Sequence, residues 1–162
     1  MEFMPVEQFV GNWNEWLMSW LPDLEMVLRD AMWPDPFTLA TLLQQITLHL
    51  ASRSDLKLSF CKTVPTSEQR VLRVIVQFDE EKVSKAAFEL ARRMIDAALL
   101  GRSFDVAGAI ADLHELADDI CLGPSTRAMV DAALVRGVPV RRLTEGSLVQ
   151  LGWGRLQKKI LA

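Results

Sequence analysis

The chain has few of the residues that build disulfide frameworks and metal centres. It holds two cysteines, Cys61 and Cys121, and two histidines, His49 and His114. Two widely separated cysteines make no disulfide framework, so a reduced, cytoplasmic setting is expected. Two histidines without a ligand spacing argue against a metal site. No apolar run reaches the ~18 residues that span a bilayer, and no membrane contact is expected. The opening Met1-Glu2-Phe3-Met4 lacks the basic region and apolar stretch of a secretory signal. Internal repeats, low-complexity tracts and an obvious linker are all missing. What remains is a chain of 162 residues, 50% hydrophobic and 24% charged, with a net charge of −3. That is enough for one domain with a sizeable core, and too apolar for a disordered chain.

The charge is unevenly laid out. Residues 1–52 carry seven acids and one base, whereas residues 124–162 carry two acids and seven bases. A basic C-terminal third can face an anion such as a phosphate or a polycarboxylate, or an acidic surface of its own chain. Nucleic acid is not expected, because only Trp153 interleaves with those bases.

Periodicity gives the elements. Residues 6–20 read as an amphipathic helix with Trp13, Trp16 and Trp20 on one face, a row that suits a core or a docking partner. A second helix covers 37–52, with Leu39, Leu42, Leu43, Ile46 and Leu50 at helical spacing. Alternation over Leu56–Phe60 and Val71–Phe78 predicts two strands, joined by a Thr63–Gln69 loop. Helices follow at 80–100, stopped by Gly101, and at 105–121. A further helix over Arg127–Arg136 is expected to be capped by Ser125 or Thr126 and closed by Gly137. Val138–Val140 and Ser147–Leu151 read as strands, and Arg155–Leu161 is expected to pair back after a Gly152-Trp153-Gly154 turn. The expected fold is α/β (α+β), with four or five helices on a small mixed β-sheet.

Several residues are candidates for binding. Ser125, Thr126 and Arg127 at a helix start can hold a carboxylate or phosphate, or can simply cap the helix. Arg136, Arg141, Arg142, Arg155, Lys158 and Lys159 supply cations. Gly146–Gly154 lacks the lysine and spacing of a P-loop and reads as strand–turn–strand. No residue stands out as catalytic.

Three ordered motifs carry a family resemblance. Leu122-Gly123-Pro124-Ser125-Thr126-Arg127-Ala128-Met129-Val130 resembles a "GPST" helix start. Arg136-Gly137-Val138-Pro139-Val140 resembles an "RGIP" strand entry. Gly146-Ser147-Leu148-Val149-Gln150-Leu151-Gly152-Trp153-Gly154 resembles a "SLVQLGYG" turn. Together they resemble the N-terminal domain of cyanophycin synthetase, with weaker likeness at Phe60–Thr63, Val76–Glu81 and Leu17–Leu24. The resemblance implies one such domain over 1–162. It would lack the family's opening strand and the ATP-grasp and Mur-ligase-like domains that follow. The parent activity it implies is ATP-dependent ligation of aspartate and arginine into a storage polypeptide. ATP and magnesium would serve that parent enzyme, and no cofactor is expected in this chain.

Some members of that family carry a His-x-x-Glu-His zinc motif on the helix before the first hairpin, a hydrolase that trims polymer. The matching positions here are Thr41, Gln44 and Gln45 in Thr41-Leu42-Leu43-Gln44-Gln45. Neutral glutamine cannot act as a general base, so a degenerate motif without metal or catalytic residues is expected. His49 lies one turn further on, and a single imidazole does not hold a catalytic metal. Cyanophycin has a polyaspartate backbone with arginine on its side chains, so a binder needs both carboxylates and cations. Glu80, Glu81, Arg92 and Arg93, with Asp79, are expected to offer both. The expected role is therefore non-catalytic polymer binding or scaffolding beside ligase domains. The alternatives are a stand-alone subunit docking on a separate ligase through Trp13, Trp16 and Trp20, or a residual metallohydrolase. Self-association is left open.

Overall fold

The computed structural model describes residues 13–24, 38–53, 60–68, 71–78, 80–144 and 146–161. Five α-helices and five short strands are found among them, in the α/β class expected. Backbone packing divides the chain into two compact units, Met1–Leu113 and His114–Ala162.

In the first unit, α1 (Trp13–Trp20) leads into Leu21 and Leu24, and Leu17, Leu21 and Leu24 are fully buried. The expected residues 6–12 of that helix and the side chain of Trp13 lie outside the described residues. α2 (Leu39–Arg53) starts where the Thr38 hydroxyl accepts the Thr41 N–H at 3.3 Å, a side-chain cap. Leu42, Ile46 and Leu50 recur at helical spacing and are buried, as their periodicity predicts.

The hairpin follows. β1 (Cys61–Pro65) pairs antiparallel with β2 (Leu72–Val76), and Thr63 stands opposite Val74. The expected strand at 56–60 fares differently: residues 56–59 lie outside the described residues, and Phe60 is exposed and precedes β1. The strand instead runs into the expected loop as far as Pro65. Pro65 faces Leu72 in a pair that exchanges no ladder bond, so its missing N–H costs nothing there.

α3 (Glu81–Leu99) is the spine of this unit. Val83, Ala87, Leu90, Ala91, Met94 and Ala98 form its buried stripe, as expected, and it packs against α1 and α2. The alanines let the helices approach closely, and each fully buried leucine contributes about 1.5–3 kcal/mol. Gly101 ends the helix at a φ of 60°, with its N–H on the Ala98 carbonyl. α4 (Val106–Ile120) opens on Asp105, whose carboxylate accepts the Gly108 N–H at 3.0 Å.

In the second unit, α5 (Pro124–Val135) begins earlier than expected. Gly123 is its N-cap and Pro124 its first residue, so neither Ser125 nor Thr126 caps it. Proline at that position has a preset φ and lacks only an N–H that would go unpaired. β3 (Val140–Arg142), β4 (Val149–Leu151) and β5 (Lys158–Ile160) form an antiparallel sheet in the order β3-β4-β5. Gly152 and Gly154, both at positive φ, turn the chain between β4 and β5.

Candidate functional site

The helix before the hairpin carries the three positions that match the family's zinc motif. Thr41 is buried on α2, and its hydroxyl lies 3.1 Å from that of Thr38. Gln44 is half-buried, and its Oε1 accepts the Thr63 hydroxyl from β1 at 3.0 Å. The same hydroxyl lies 3.4 Å from the Ala40 carbonyl. Gln45 is half-buried beside them. The helix face and the hairpin therefore meet through neutral hydrogen bonds. This donor set does not fit zinc, which takes imidazole, thiolate or carboxylate. Among the described residues no three His, Cys, Asp or Glu side chains cluster to hold an ion.

His49, one turn beyond Gln45, is buried with its Nε2 unpartnered. Burial holds its pKa below the ordinary imidazole value, helped by Arg53 and opposed by Asp23. Cys61 is buried on the hairpin's inner face, and burial pushes its thiol up to about 11. It is therefore protonated at neutral pH and a poor nucleophile.

The charged face on α3 is largely self-paired. Lys85 Nζ donates to Glu81 at 2.5 Å. Arg92 bridges Glu89 at 2.9 Å and Asp96 at 2.8 Å. Arg93 lies over the Phe104 ring at 5.9 Å, and Phe104 packs on Trp20 at 5.8 Å. Glu80 precedes the helix as its N-cap residue. Asp79 lies outside the described residues. Trp16 meets Trp20 edge to face at 5.7 Å and keeps 37% of its surface exposed.

Beside this charged face lies a feature with no single-residue signature. A groove of about 600 Å³ runs between β2 and α3. Val74, Val76 and Phe78 line one side, and Ser84, Phe88 and Glu89 line the other. A hint of it exists in the sequence, since Ser84 and Phe88 lie one turn apart on α3.

In the second unit the expected cations separate into two roles. Strand register puts Arg141, Gln150 and Lys159 in one row across the sheet. Arg142 falls in the adjacent row with Val149 and Ile160, on the opposite face. Val149 is fully buried, so that face is the covered one. Arg142 donates from Nε to the Gly146 carbonyl at 2.8 Å and from Nη2 to the Ile120 carbonyl. Arg141 and Lys159 are exposed, about 10 Å apart across two strand spacings. Arg155 and Lys158 are exposed between β4 and the end of β5. At the start of α5, Ser125 is exposed and Thr126 is fully buried with its hydroxyl unpartnered. Arg127 pairs with Asp131 at 3.4 Å. Arg136 donates to the Ala132 carbonyl at 2.9 Å.

Among the described residues, no helix is long and apolar enough to cross a membrane. No protein-family model matches the chain. Curated proteins named cyanophycin synthetase do match it. Those from Trichormus variabilis and a Nostoc species are each 28% identical over 125 residues, covering 75% of this chain. The protein from Crocosphaera subtropica is 27% identical over the same length. The chain spans 14% of the length of these relatives. The likeness carried by the C-terminal motifs is thus also found along most of the sequence: three-quarters of this chain is similar to a segment of cyanophycin synthetases, consistent with an N-terminal-like domain of that family.

Proposed function

We propose that this chain is a non-catalytic domain that binds a cyanophycin-like polypeptide, or scaffolds the ligase that makes one, in a reduced cytoplasmic setting. The observation that carries this reading is the row Arg141–Gln150–Lys159 on the β3–β5 sheet, in which exposed Arg141 and Lys159 flank half-buried Gln150. Two cations on one side of a sheet, with an amide between them, can take free carboxylates of a polyaspartate backbone. The polymer's guanidinium groups would need carboxylates, for which Glu81 and Glu89 on α3 are candidates. ATP and magnesium would belong to ligase chemistry carried by residues other than these. Thr41, Gln44 and Gln45 support the non-catalytic part of the reading, because none of them can hold zinc or move a proton.

The test is sedimentation of the purified chain with an aspartate–arginine polymer, alongside assay of the supernatant for released fragments. Co-sedimentation is expected, weakened about tenfold or more by Arg141→Glu with Lys159→Glu, as removal of two charge-assisted contacts implies. No fragments are expected. Binding that ignores the double variant, or unaided cleavage of the polymer, refutes the reading. The exposure of Trp16 favours a second reading, a subunit that docks on a separate ligase. Under that reading Trp16→Ala abolishes capture of the ligase and leaves polymer binding unchanged.

A further inference from the structure

The hairpin is a two-stranded sheet, so β1 covers only one edge of β2. Register settles which residues own the other edge. The Gln77 N–H donates to the Phe60 carbonyl at 2.9 Å and the Thr66 N–H to the Val71 carbonyl at 3.2 Å. Bonded and non-bonded pairs alternate in an antiparallel ladder, so Arg73 and Ile75 bond to β1. Leu72, Val74 and Val76 therefore turn their N–H and C=O groups away from it. None of these outward groups has a hydrogen-bond partner among the described residues. An open edge of this kind is a template for another strand.

The room beside that edge is already shaped. Val74 and Val76 line the groove, and the opposite wall is α3, with Phe88 and Ser84. Ser84 is 4% exposed and its hydroxyl has no partner. The groove thus joins a row of unpaired backbone groups to a largely apolar slot with one unsatisfied hydroxyl, lined also by Glu81, Lys85 and Glu89.

We propose that the groove is a strand-addition site for an extended segment of a partner protein. About five residues would pair antiparallel with β2, matching its length, and alternate apolar side chains would fill the slot over Phe88. Charge defines the other face of the added strand. Arg73 and Lys62 are exposed on the outer face of the hairpin and make no ion pair among the described residues. An acidic residue on the outer side of the incoming segment complements them. A second copy of this chain is a poorer occupant. Pairing β2 with its own twofold mate puts the mate's helices on the same side of the sheet, where α3 already lines the groove. A segment without a helix meets no such obstacle. The inference does not rest on the Arg141–Gln150–Lys159 row that carries the polymer-binding reading, although Glu81 and Glu89, the carboxylates named there, also line this groove.

The test uses the full chain, labelled with nitrogen-15, and the peptide acetyl-Val-Thr-Val-Asp-Val-Thr-amide, whose aspartate stands opposite Arg73. Bound antiparallel, its valines stand opposite Leu72, Val74 and Val76 and their amides point at β2. The N–H groups of those three residues are expected to shift and to exchange about tenfold more slowly, with Arg73 and Ile75 little changed. Methylating the valine amides is expected to weaken binding about tenfold or more, and methylating the aspartate and threonine amides less than about twofold. Arg73→Glu weakens it several-fold. Absence of any shift at millimolar peptide overturns the proposal. Equal losses from both methylation patterns do so as well, as does protection of the Val74 and Val76 amides in the free chain.

Discussion

Arg141 and Arg142 are neighbours in sequence with opposite expected behaviour, and the difference can be measured. Arg142 is half-buried on the covered face of the β3–β5 sheet and reaches the Ile120 carbonyl at the end of α4. The last carbonyls of a helix have no intrahelical partner, and a cation beside them is favourable. Its second bond, to the Gly146 carbonyl, ends on an exposed residue that water can serve in its place. A charge-assisted bond contributes about 1.5–3 kcal/mol when its acceptor is otherwise unserved. Counting the Ile120 bond in full and the Gly146 bond at a fraction, Arg142→Ala should cost about 2–3 kcal/mol. Urea unfolding followed by tryptophan fluorescence reads this directly, because Trp153 lies in the same unit. With a slope of about 1–3 kcal/mol/M, the midpoint should fall by roughly 0.7–3 M. Arg142→Lys keeps the charge but not the fork of donors, and should recover about half of the loss. Arg141→Ala should move stability by less than about 0.5 kcal/mol, as exposed substitutions do. An Arg142→Ala protein as stable as the parent, or an Arg141→Ala protein less stable than the Arg142→Ala one, refutes the assignment of these two side chains to opposite faces.

Two further outcomes follow from buried titratable groups. The pKa of His49 is depressed in the folded chain, so the unfolded state binds the proton more readily. Stability should be complete above the unfolded value of about 6.5 and decline as pH falls from there toward the lower folded value. Urea midpoints at pH 5.5 and 7.5 test this, and His49→Gln should flatten the difference. The Cys61 thiol, raised to about 11, should resist iodoacetamide at pH 8 until the chain is unfolded in urea. Mass spectrometry that finds Cys61 alkylated as fast in the native chain as in the unfolded one contradicts its placement.

Legibility in the sequence followed the strength of the local pattern. The stripe Val83–Ala98 and the stop at Gly101 were readable because a long, regular 3.6-residue repeat ends on a residue that alone tolerates positive φ freely. The start of α5 was not, because serine and threonine advertise a cap whereas Gly123-Pro124 supplies the start by backbone geometry alone. β1 was displaced because Pro65 signals a turn, and only the pairing partner shows that its nitrogen faces away from the ladder. The split between Arg141 and Arg142 follows from strand alternation. Which of them faces the buried side depends on Val149, across a register the local sequence does not carry. The groove beside β2, hinted at only by the one-turn spacing of Ser84 and Phe88, was not legible as a groove for a different reason. It is made by an open strand edge and the helix opposite, and no residue type encodes that pairing.

The contact between α2 and the hairpin invites one last perturbation, because it separates a site that lacks only a carboxylate from one built around neutral groups. Gln44→Glu is nearly isosteric, and the new carboxylate can still accept the Thr63 hydroxyl. It is half-buried, and its described polar neighbours, Thr63 and Ala40, offer no cation. Desolvation should therefore raise its folded pKa above the unfolded value of about 4.3. A group raised in this way binds its proton more tightly in the folded state, so stability falls as pH rises from that value through the folded pKa. The loss should be about 1 kcal/mol by pH 7, opposite in direction to the His49 effect. Urea midpoints of the His49→Gln, Gln44→Glu double variant across pH 5 to 8 isolate it from the imidazole. A midpoint that stays level or rises with pH would mean that the place welcomes a carboxylate anion. The neutral Gln44–Thr63 contact would then be an incidental substitution in a pocket still suited to acid–base work. A falling midpoint means the surroundings of Gln44 have no means of stabilising the charge a hydrolase would need there.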